Sequence, residues 1–212
     1  MARRYHQLLW SRELPNGETM VLEDGRSRFY MKWKDIWFGS DSITASFRYD
    51  RNRVFLQELE KQMGLSDYHS YVENYLRELY TIGGMMLLPS FRWCLNQARG
   101  CSLRISDRWD LTLECIRRYY CGESSPLDKC LNHPTNQKFF SLFIDFKGFV
   151  DFFFLQDCVS DDYQKVNLWQ NTPLFETNPI PKTINDYLAF IDTELDFVKR
   201  RNKRIEEFCK GR

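Results

Sequence analysis

The amino-acid sequence predicts an α+β fold, a mainly helical single domain over residues 1–212 with a small N-terminal β-sheet. Three observations favour this fold class. Short apolar runs at 29–33 and 36–38 follow turn-forming residues in the first fifth of the chain, as strands do. Longer stretches after residue 66 have apolar residues at helical spacing. Hydrophobic residues make up 43% of the chain and aromatic residues 16%, enough for a sizeable core without disulfides or metals.

Turn and capping residues bound the first predicted elements. A short buried strand over Met85–Leu88, which ends before Pro89, is expected to pair with the N-terminal strands. One helix is expected over 66–80, with Ser66-Asp67 at its N-cap. The next is expected from Asp107 to about Tyr120, with its end near Gly122.

The second half of the chain is predicted to contain the central helix and the last helix. Most residues from 139 to 155 are apolar, which predicts one buried helix over 136–157. Gly148 inside it indicates either a close helix crossing or a kink. Thr183, followed three residues later by Asp186, is a variant of the capping box and begins the last helix. In all, five or so helices are expected, with the Phe-rich helix at the centre.

The charge balance and the cysteine spacing argue against binding driven by overall charge, against a disulfide framework and against a metal site. There are 30 basic and 29 acidic residues, so the net charge of +1 gives no overall field that attracts a polyanion. Nucleic-acid binding is not excluded, but it requires a local basic patch. The cysteines include no CxxC pair and the histidines are scattered, so neither a disulfide framework nor a metal site is predicted. Any cofactor is unknown.

No targeting or membrane segment is predicted. The N-terminal residues lack the apolar run of a signal peptide. The most apolar segment, 139–155, carries charges and is shorter than the roughly 20 residues that a membrane span needs. We therefore expect a cytoplasmic protein with free, buried thiols and no membrane partner.

A charged strip on the predicted helix after residue 107 provides the first candidate site. Two acidic and two basic residues share this narrow strip between two apolar faces, with i,i+3 and i,i+4 pairing. Such a strip is partly buried, so its charges must be paired. Either it is an internal ion-pair network, or its arginines hold a phosphate or carboxylate group bidentately. The candidate catalytic residues are Asp110 and Glu114, and the candidate ligand-binding residues are Asn96, Gln97, Arg99, Asp107, Arg108, Arg117 and Arg118.

A second candidate site lies at 38–43, where Gly39 is followed by Ser40, Asp41 and Ser42. Glycine followed by small polar residues can open a helix whose free backbone N–H groups bind an anion. The same pattern is also that of an ordinary helix cap. The phosphate-binding motif GxxxxGK[ST] is absent from the sequence.

A third set of charges lies within the Phe-rich segment. Lys147 and Asp151 are i,i+4 partners, and Asp145 lies nearby. Two acids on one helix can serve acid–base chemistry or hold a divalent metal. A salt-bridged, solvated stripe is the alternative.

Long motifs spread along the chain carry a family resemblance. The segments concerned are 9–17, 39–43, 81–84, 96–100, 107–120 and 145–157. Through them the sequence resembles an uncharacterised bacterial domain-of-unknown-function family. The resemblance implies a bacterial or phage-borne intracellular protein, and it implies no reaction because no activity is established for the family. Leu88 departs from the aromatic residue usual before Pro89, which alters any pocket that this position lines.

Two functions from different classes follow. The first is a small enzyme or effector that acts on a nucleotide or nucleic-acid phosphate. In it, Arg99 and Arg108 hold the anion, while Glu114 or Asp110 acts as a base or orients Arg117. The alternative is a non-catalytic protein-interaction module, such as an inhibitor or regulator in phage–host conflict. Tryptophan rings that line a concave pocket with the arginines favour the first function, whereas rings on a flat surface favour a protein partner. A purely structural strip is a third possibility.

Overall fold

The computed structural model describes residues 2–25, 30–43, 53–99, 105, 108–169, 175 and 183–210, and its fold is mixed α+β and mainly helical, as predicted. The α-helices in these ranges are α1 (Ala2–Trp10), α2 (Arg53–Met63), α3 (Leu65–Leu79), α4 (Leu95–Ala98), α5 (Trp109–Cys121), α6 (Asp128–Leu131), α7 (Pro134–Phe140), α8 (Phe146–Phe152) and α9 (Ile184–Lys210). The strands are β1 (Glu23–Asp24), β2 (Tyr30–Trp33), β3 (Ile36–Ser42) and β4 (Met85–Pro89). The described part alone therefore contains more helices than the five or so expected. We find no helix in these ranges with the length and hydropathy that crossing a membrane requires.

The four strands form one antiparallel sheet in the order β1-β2-β3-β4. A tight turn joins β2 to β3, and Lys34 at this turn has a left-handed φ of 52°. The predicted strand before Pro89 is confirmed as β4, in which Leu87 lies opposite Ser40 of β3. Pro89 ends an outer strand of the sheet, where a missing N–H donor is tolerated. Helix α1, which precedes the sheet, was not anticipated.

The Phe-rich segment is not one helix, so the prediction over 136–157 is wrong. Helix α7 ends at Phe140, a single 3-10 turn follows, and α8 begins at Phe146. The break occurs at Ile144, which has a φ of 70°, and at Asp145, whose carboxylate accepts the Gly148 N–H at 2.7 Å as the N-cap of α8. A Cβ atom at Gly148 would lie 2.1 Å from the Phe143 carbonyl oxygen, so the close approach needs glycine.

The segment nevertheless occupies the centre of the core. Phe139, Phe143, Phe149 and Phe153 are all buried. Along this series, successive ring centroids lie 5.1, 5.3 and 5.0 Å apart in edge-to-face or tilted geometry. Their burial drives the packing of α7 against α8. The high hydrophobic content of the segment therefore predicted its central position correctly, although it did not predict the break.

Of the other predicted helix ends, two agree with the structure and others differ from it. The capping box is confirmed, because Thr183 Oγ1 accepts the Asp186 N–H and the Asp186 carboxylate accepts the Thr183 N–H. Gly122 ends α5 in the left-handed conformation, as predicted. Helix α3 begins at Leu65 after Gly64, so Ser66 is not its N-cap. Asp107 lies outside the described residues, and α5 begins at Trp109.

Helix α9 carries a fully buried arginine that ties distant segments together. The Arg201 guanidinium donates to the carbonyl oxygens of Phe153 at 2.9 Å, Gly83 at 2.8 Å and Met85 at 2.9 Å. Burial lowers the pKa of Arg201 to about 9. Residues 199–204 of α9 include five basic residues. Arg201 is the buried member of this run, and it joins α9 to the ends of α8 and β4.

Candidate functional site

The charged strip of α5 is buried and paired, and it divides into two separate clusters. In the first cluster, Asp110 is fully buried. Its carboxylate accepts two hydrogen bonds from Arg108, one of them from Nε at 3.0 Å. The backbone N–H of Trp169 completes the cluster at 2.8 Å. A carboxylate without exposed surface cannot contact a substrate in this conformation. The contacts of Asp110 therefore stabilise the fold, and its catalytic role stays a prediction.

The second cluster is centred on Glu114, about one turn further along α5. Arg117 donates from Nε at 2.8 Å and from Nη2 at 3.0 Å, and Arg118 donates from Nε at 2.8 Å. The predicted i,i+3 and i,i+4 pairs are thus confirmed. Three charge-assisted hydrogen bonds engage both carboxylate oxygens, so Glu114 orients the two guanidinium groups.

Arg117 also contacts an exposed acid. Its Nη1 and Nη2 donate to the Glu123 carboxylate at 3.1 and 2.8 Å. The hydrogen bonds that Arg117 donates to Glu114 and then to Glu123 raise the pKa of Arg117, and the second of these bonds lowers the pKa of Glu123. The outer side of this guanidinium therefore already holds an anionic group at the surface.

A surface cleft of about 210 Å³ opens beside this second cluster. One side is formed by Glu114 and Arg117, and the other by a loop over 159–166 and the residues after it. An antiparallel bridge between Val159 and Val166 closes the loop at its base. The residues that line the cleft are Glu114, Arg117, Gln164, Lys165, Val166 and Leu168.

Lys165 gives the cleft a further positive charge. Its side chain is exposed, and its ammonium group makes no ion pair with a carboxylate in the described ranges. The loop that carries it is held by the Ser160 hydroxyl, which donates to Asp162 at 2.6 Å, and by the Tyr163 hydroxyl, which donates to Asp151 at 2.8 Å. Lys147 pairs with the same Asp151, as its i,i+4 spacing predicted.

The second candidate site is not a helix N-terminus, so that prediction is wrong. Residues 38–42 belong to β3, and the backbone groups there pair with β4 because Met85–Pro89 is an apolar strand of matching length. Arg99 of the first candidate set binds the end of this strand, donating to the carbonyl oxygens of Ser42 at 2.6 Å and Ile43 at 2.8 Å. Asp41 lies 3.9 Å from the same guanidinium. The structure thus joins these two candidate sets through a buried contact.

Ser40 takes part in a buried contact between β3 and α1. His6 Nε2 lies 2.8 Å from the Ser40 hydroxyl, and His6 Nδ1 accepts the indole N–H of Trp10 at 2.6 Å. The pKa of His6 is lowered from 6.5 to about 4, by burial and then by the charge of Arg201. Because Nδ1 is an acceptor, the ring is neutral and Nε2 carries the proton that Ser40 accepts.

The tryptophan rings form neither a pocket nor a flat surface. Trp10, Trp33 and Trp109 are buried, Trp37 is half-buried, and Trp93 is exposed. The Arg99 guanidinium lies 5.9 Å from the ring centroid of Trp109, inside the core. These positions support neither of the two functional interpretations, and they fit the structural interpretation of Arg99.

The Asn96-Gln97 pair lies in α4. Gln97 is exposed, and its Oε1 accepts the Trp93 N–H at 2.7 Å. Asn96 is half-buried, and its Oδ1 accepts no hydrogen bond from a described residue. Asp107, the remaining candidate, lies outside the described residues, and the described ranges contain no group of three or more His, Cys, Asp or Glu side chains placed to hold a metal ion.

The sequence interpretation missed one wall of the cleft. Gln164, Lys165, Val166 and Leu168 are far from α5 in sequence, and only the turn-forming residues at 160–162 indicated a loop. Nothing local to them indicates that they face Glu114.

Comparisons with known proteins identify a family. Searches of curated proteins and of solved structures each found no match. A family model described as a family of unknown function (DUF6994) matches residues 1–205, which is nearly the whole sequence. The chain therefore belongs to this family of unknown function, in agreement with the resemblance that its motifs carry.

Proposed function

We propose that the cleft between α5 and the 159–166 loop binds the phosphate group of a nucleotide or a nucleic acid. The observation that carries the proposal is that the Glu114 carboxylate fixes two guanidinium groups, of which Arg117 lines a cleft whose opposite wall carries Lys165. Fixed guanidinium groups bind phosphate more favourably than mobile ones, because less conformational entropy is lost on binding.

The size of the cleft supports a phosphate-sized occupant. Its volume of about 210 Å³ is below the roughly 300–1,000 Å³ of sites that enclose a drug-sized ligand. A phosphate group fits inside, while the rest of the ligand extends into solvent. Leu168 and Val166 provide apolar surface at the rim for part of that remainder.

Arg99 and Arg108 have no part in this site. The guanidinium of Arg99 binds the end of β3, and that of Arg108 binds Asp110, both in the interior. The proposal therefore moves the anion contact from these two arginines to Arg117 and Lys165, the two basic residues that line the cleft. Glu114 orients the arginines, which was one of the two roles expected of it.

Glu123 acts as an internal competitor in this proposal. Its exposed carboxylate occupies the outer edge of Arg117, where a phosphate oxygen would bind. Removing its charge favours the ligand, and for a contact at a solvated surface we expect roughly fivefold tighter binding.

Calorimetric titration with inorganic phosphate, adenosine monophosphate and adenosine diphosphate tests the proposal. We expect Glu123→Gln to strengthen phosphate binding, and Lys165→Gln to weaken it by a similar factor, roughly fivefold. Both side chains are exposed, so both variants should keep the melting temperature of the unmodified protein.

Lys61→Gln is the matched control, because Lys61 is an exposed lysine on the separate helix α2. Its phosphate affinity should equal that of the unmodified protein. The proposal fails if no phosphate compound binds, or if Lys165→Gln and Lys61→Gln bind phosphate equally well.

A further inference from the structure

Trp93 lies exposed on the turn that precedes α4. Even with its neighbours in place, 63% of its surface is in contact with solvent. Its backbone has a φ of 65°, a left-handed conformation that glycine and asparagine adopt easily and that a bulky side chain rarely adopts. The left-handed backbone costs folding free energy, and the exposed ring contributes little burial in return, so together they indicate that this side chain has a role outside the core.

The turn that presents Trp93 is firmly held. Gln97 Oε1 accepts the Trp93 N–H at 2.7 Å and so fixes the left-handed backbone. The ring of Phe91 stacks on His133, the N-cap residue of α7, with centroids 4.1 Å apart and an interplanar angle of 16°. The indole is therefore carried by an ordered segment of backbone, which lowers the entropy lost when a ligand binds.

The groups around the indole are those that contact nucleobases. The Arg92 guanidinium lies 5.7 Å from the ring centroid and provides a positive charge next to a flat aromatic face. Gln97 is exposed, and its Nε2 makes no hydrogen bond with a described residue, so it can donate to an acceptor on the edge of a base. Aromatic stacking, an adjacent cation and an amide donor are the combination that recognises bases outside a duplex.

We infer that Trp93 is a stacking platform for a nucleobase, supplied by a free nucleotide or by a single-stranded nucleic acid. Its contacting neighbours Arg92 and Gln97 and the nearby His133 are polar and exposed, whereas the centre of a protein interface needs a continuous apolar area. The inference goes beyond the phosphate cleft, because it depends on different residues and on recognition of a base instead of a phosphate.

Fluorescence titration with adenosine, adenosine monophosphate and single-stranded oligodeoxyadenylate tests the inference. We expect all three to quench tryptophan emission. In calorimetric titration, which does not depend on the fluorophore that these variants lack, Trp93→Ala should weaken binding roughly tenfold, and Trp93→Phe should weaken it less because a ring remains. Tighter binding of the oligonucleotide per nucleotide would identify a single strand as the source of the base, and equal binding per nucleotide would identify the free nucleotide. Adenosine has no phosphate, so its binding does not depend on the cleft.

Two further variants separate a binding role from a structural one. Trp37→Phe is the matched control. The Trp37 ring also has a cation nearby, with the Lys32 ammonium 5.7 Å from its centroid, but this ring is only half-exposed. Binding should not change in this variant. Trp93→Asn accepts the left-handed backbone, so it should keep or raise the melting temperature while it loses binding. The inference is overturned if none of the three ligands quenches the emission, or if Trp93→Ala binds adenosine as well as the unmodified protein does.

Discussion

Acidification should destabilise the protein through His6, by an amount that follows from its environment. The pKa of the ring falls from 6.5 to about 4, because burial and the charge of Arg201 oppose protonation. Between these two values the unfolded chain binds a proton that the folded chain does not bind, so stability is lost as the pH falls through this window. The loss between about pH 7 and pH 5 is about 2 kcal/mol, and the full shift corresponds to about 3 kcal/mol.

Urea unfolding of the unmodified protein and of His6→Gln at about pH 7, 6 and 5 measures this effect. Glutamine does not titrate, so the difference in unfolding free energy between the two proteins isolates the histidine, whatever the stability of the variant itself. This difference should shrink by about 2 kcal/mol from pH 7 to pH 5. A difference that stays constant with pH would refute the reasoning, since it would mean that His6 takes up protons equally in both states.

Three substitutions test the packing of the core. Arg201→Ala should lower the free energy of unfolding by about 4 kcal/mol in urea titrations, because buried carbonyl groups lose their donor and a cavity opens. Asp110→Asn should cost about 3 kcal/mol by the same assay, since it removes the carboxylate charge from a buried pair, and an unchanged midpoint would contradict that pairing. Gly148→Ala should cost about 2 kcal/mol and lower the calorimetric melting temperature, because the new Cβ meets the Phe143 carbonyl, whereas Gly17→Ala has free space and should cost about 1 kcal/mol.

Features that depend on neighbours in sequence were predictable. The pairing of Glu114 with Arg117 and Arg118 follows from helix geometry, in which residues three and four apart share a face. The end of α5 at Gly122 and the capping box at Thr183 are equally local. Amphipathic spacing also indicated that the strip is buried, because apolar residues lie on both sides of it.

Features that depend on distant partners were not predictable. Glycine followed by small polar residues is typical of helix starts, and the apolar strand β4, more than forty residues later, is the strand that pairs with 40–42 and makes them part of the sheet. In the Phe-rich segment, apolar residues on every side predicted one continuous helix. The chain instead breaks at Ile144, and the capping carboxylate of Asp145 begins a new helix. The wall of the cleft reaches α5 because the Trp169 N–H binds Asp110, 59 residues away. Sequence spacing carries no signal for such contacts.

The environment of Arg201 was also beyond sequence reasoning, for a different reason. Its partners are backbone carbonyl groups, and every residue has one. No residue type marks the acceptors, so a basic residue in a run near a helix end is indistinguishable from its solvated neighbours. Only the packing of α9 against the end of β4 singles it out.

The late position of Arg201 in the chain delays the contacts that it makes with earlier segments during synthesis. Its acceptor at Gly83 leaves the ribosome 118 residues before the arginine does, which at cellular elongation rates is on the order of ten seconds. Throughout that interval β4 lies at an outer edge of the sheet without the helix that later binds its first residues. The contacts of Arg201 with the start of β4 therefore form only after this strand has waited outside the ribosome for that interval.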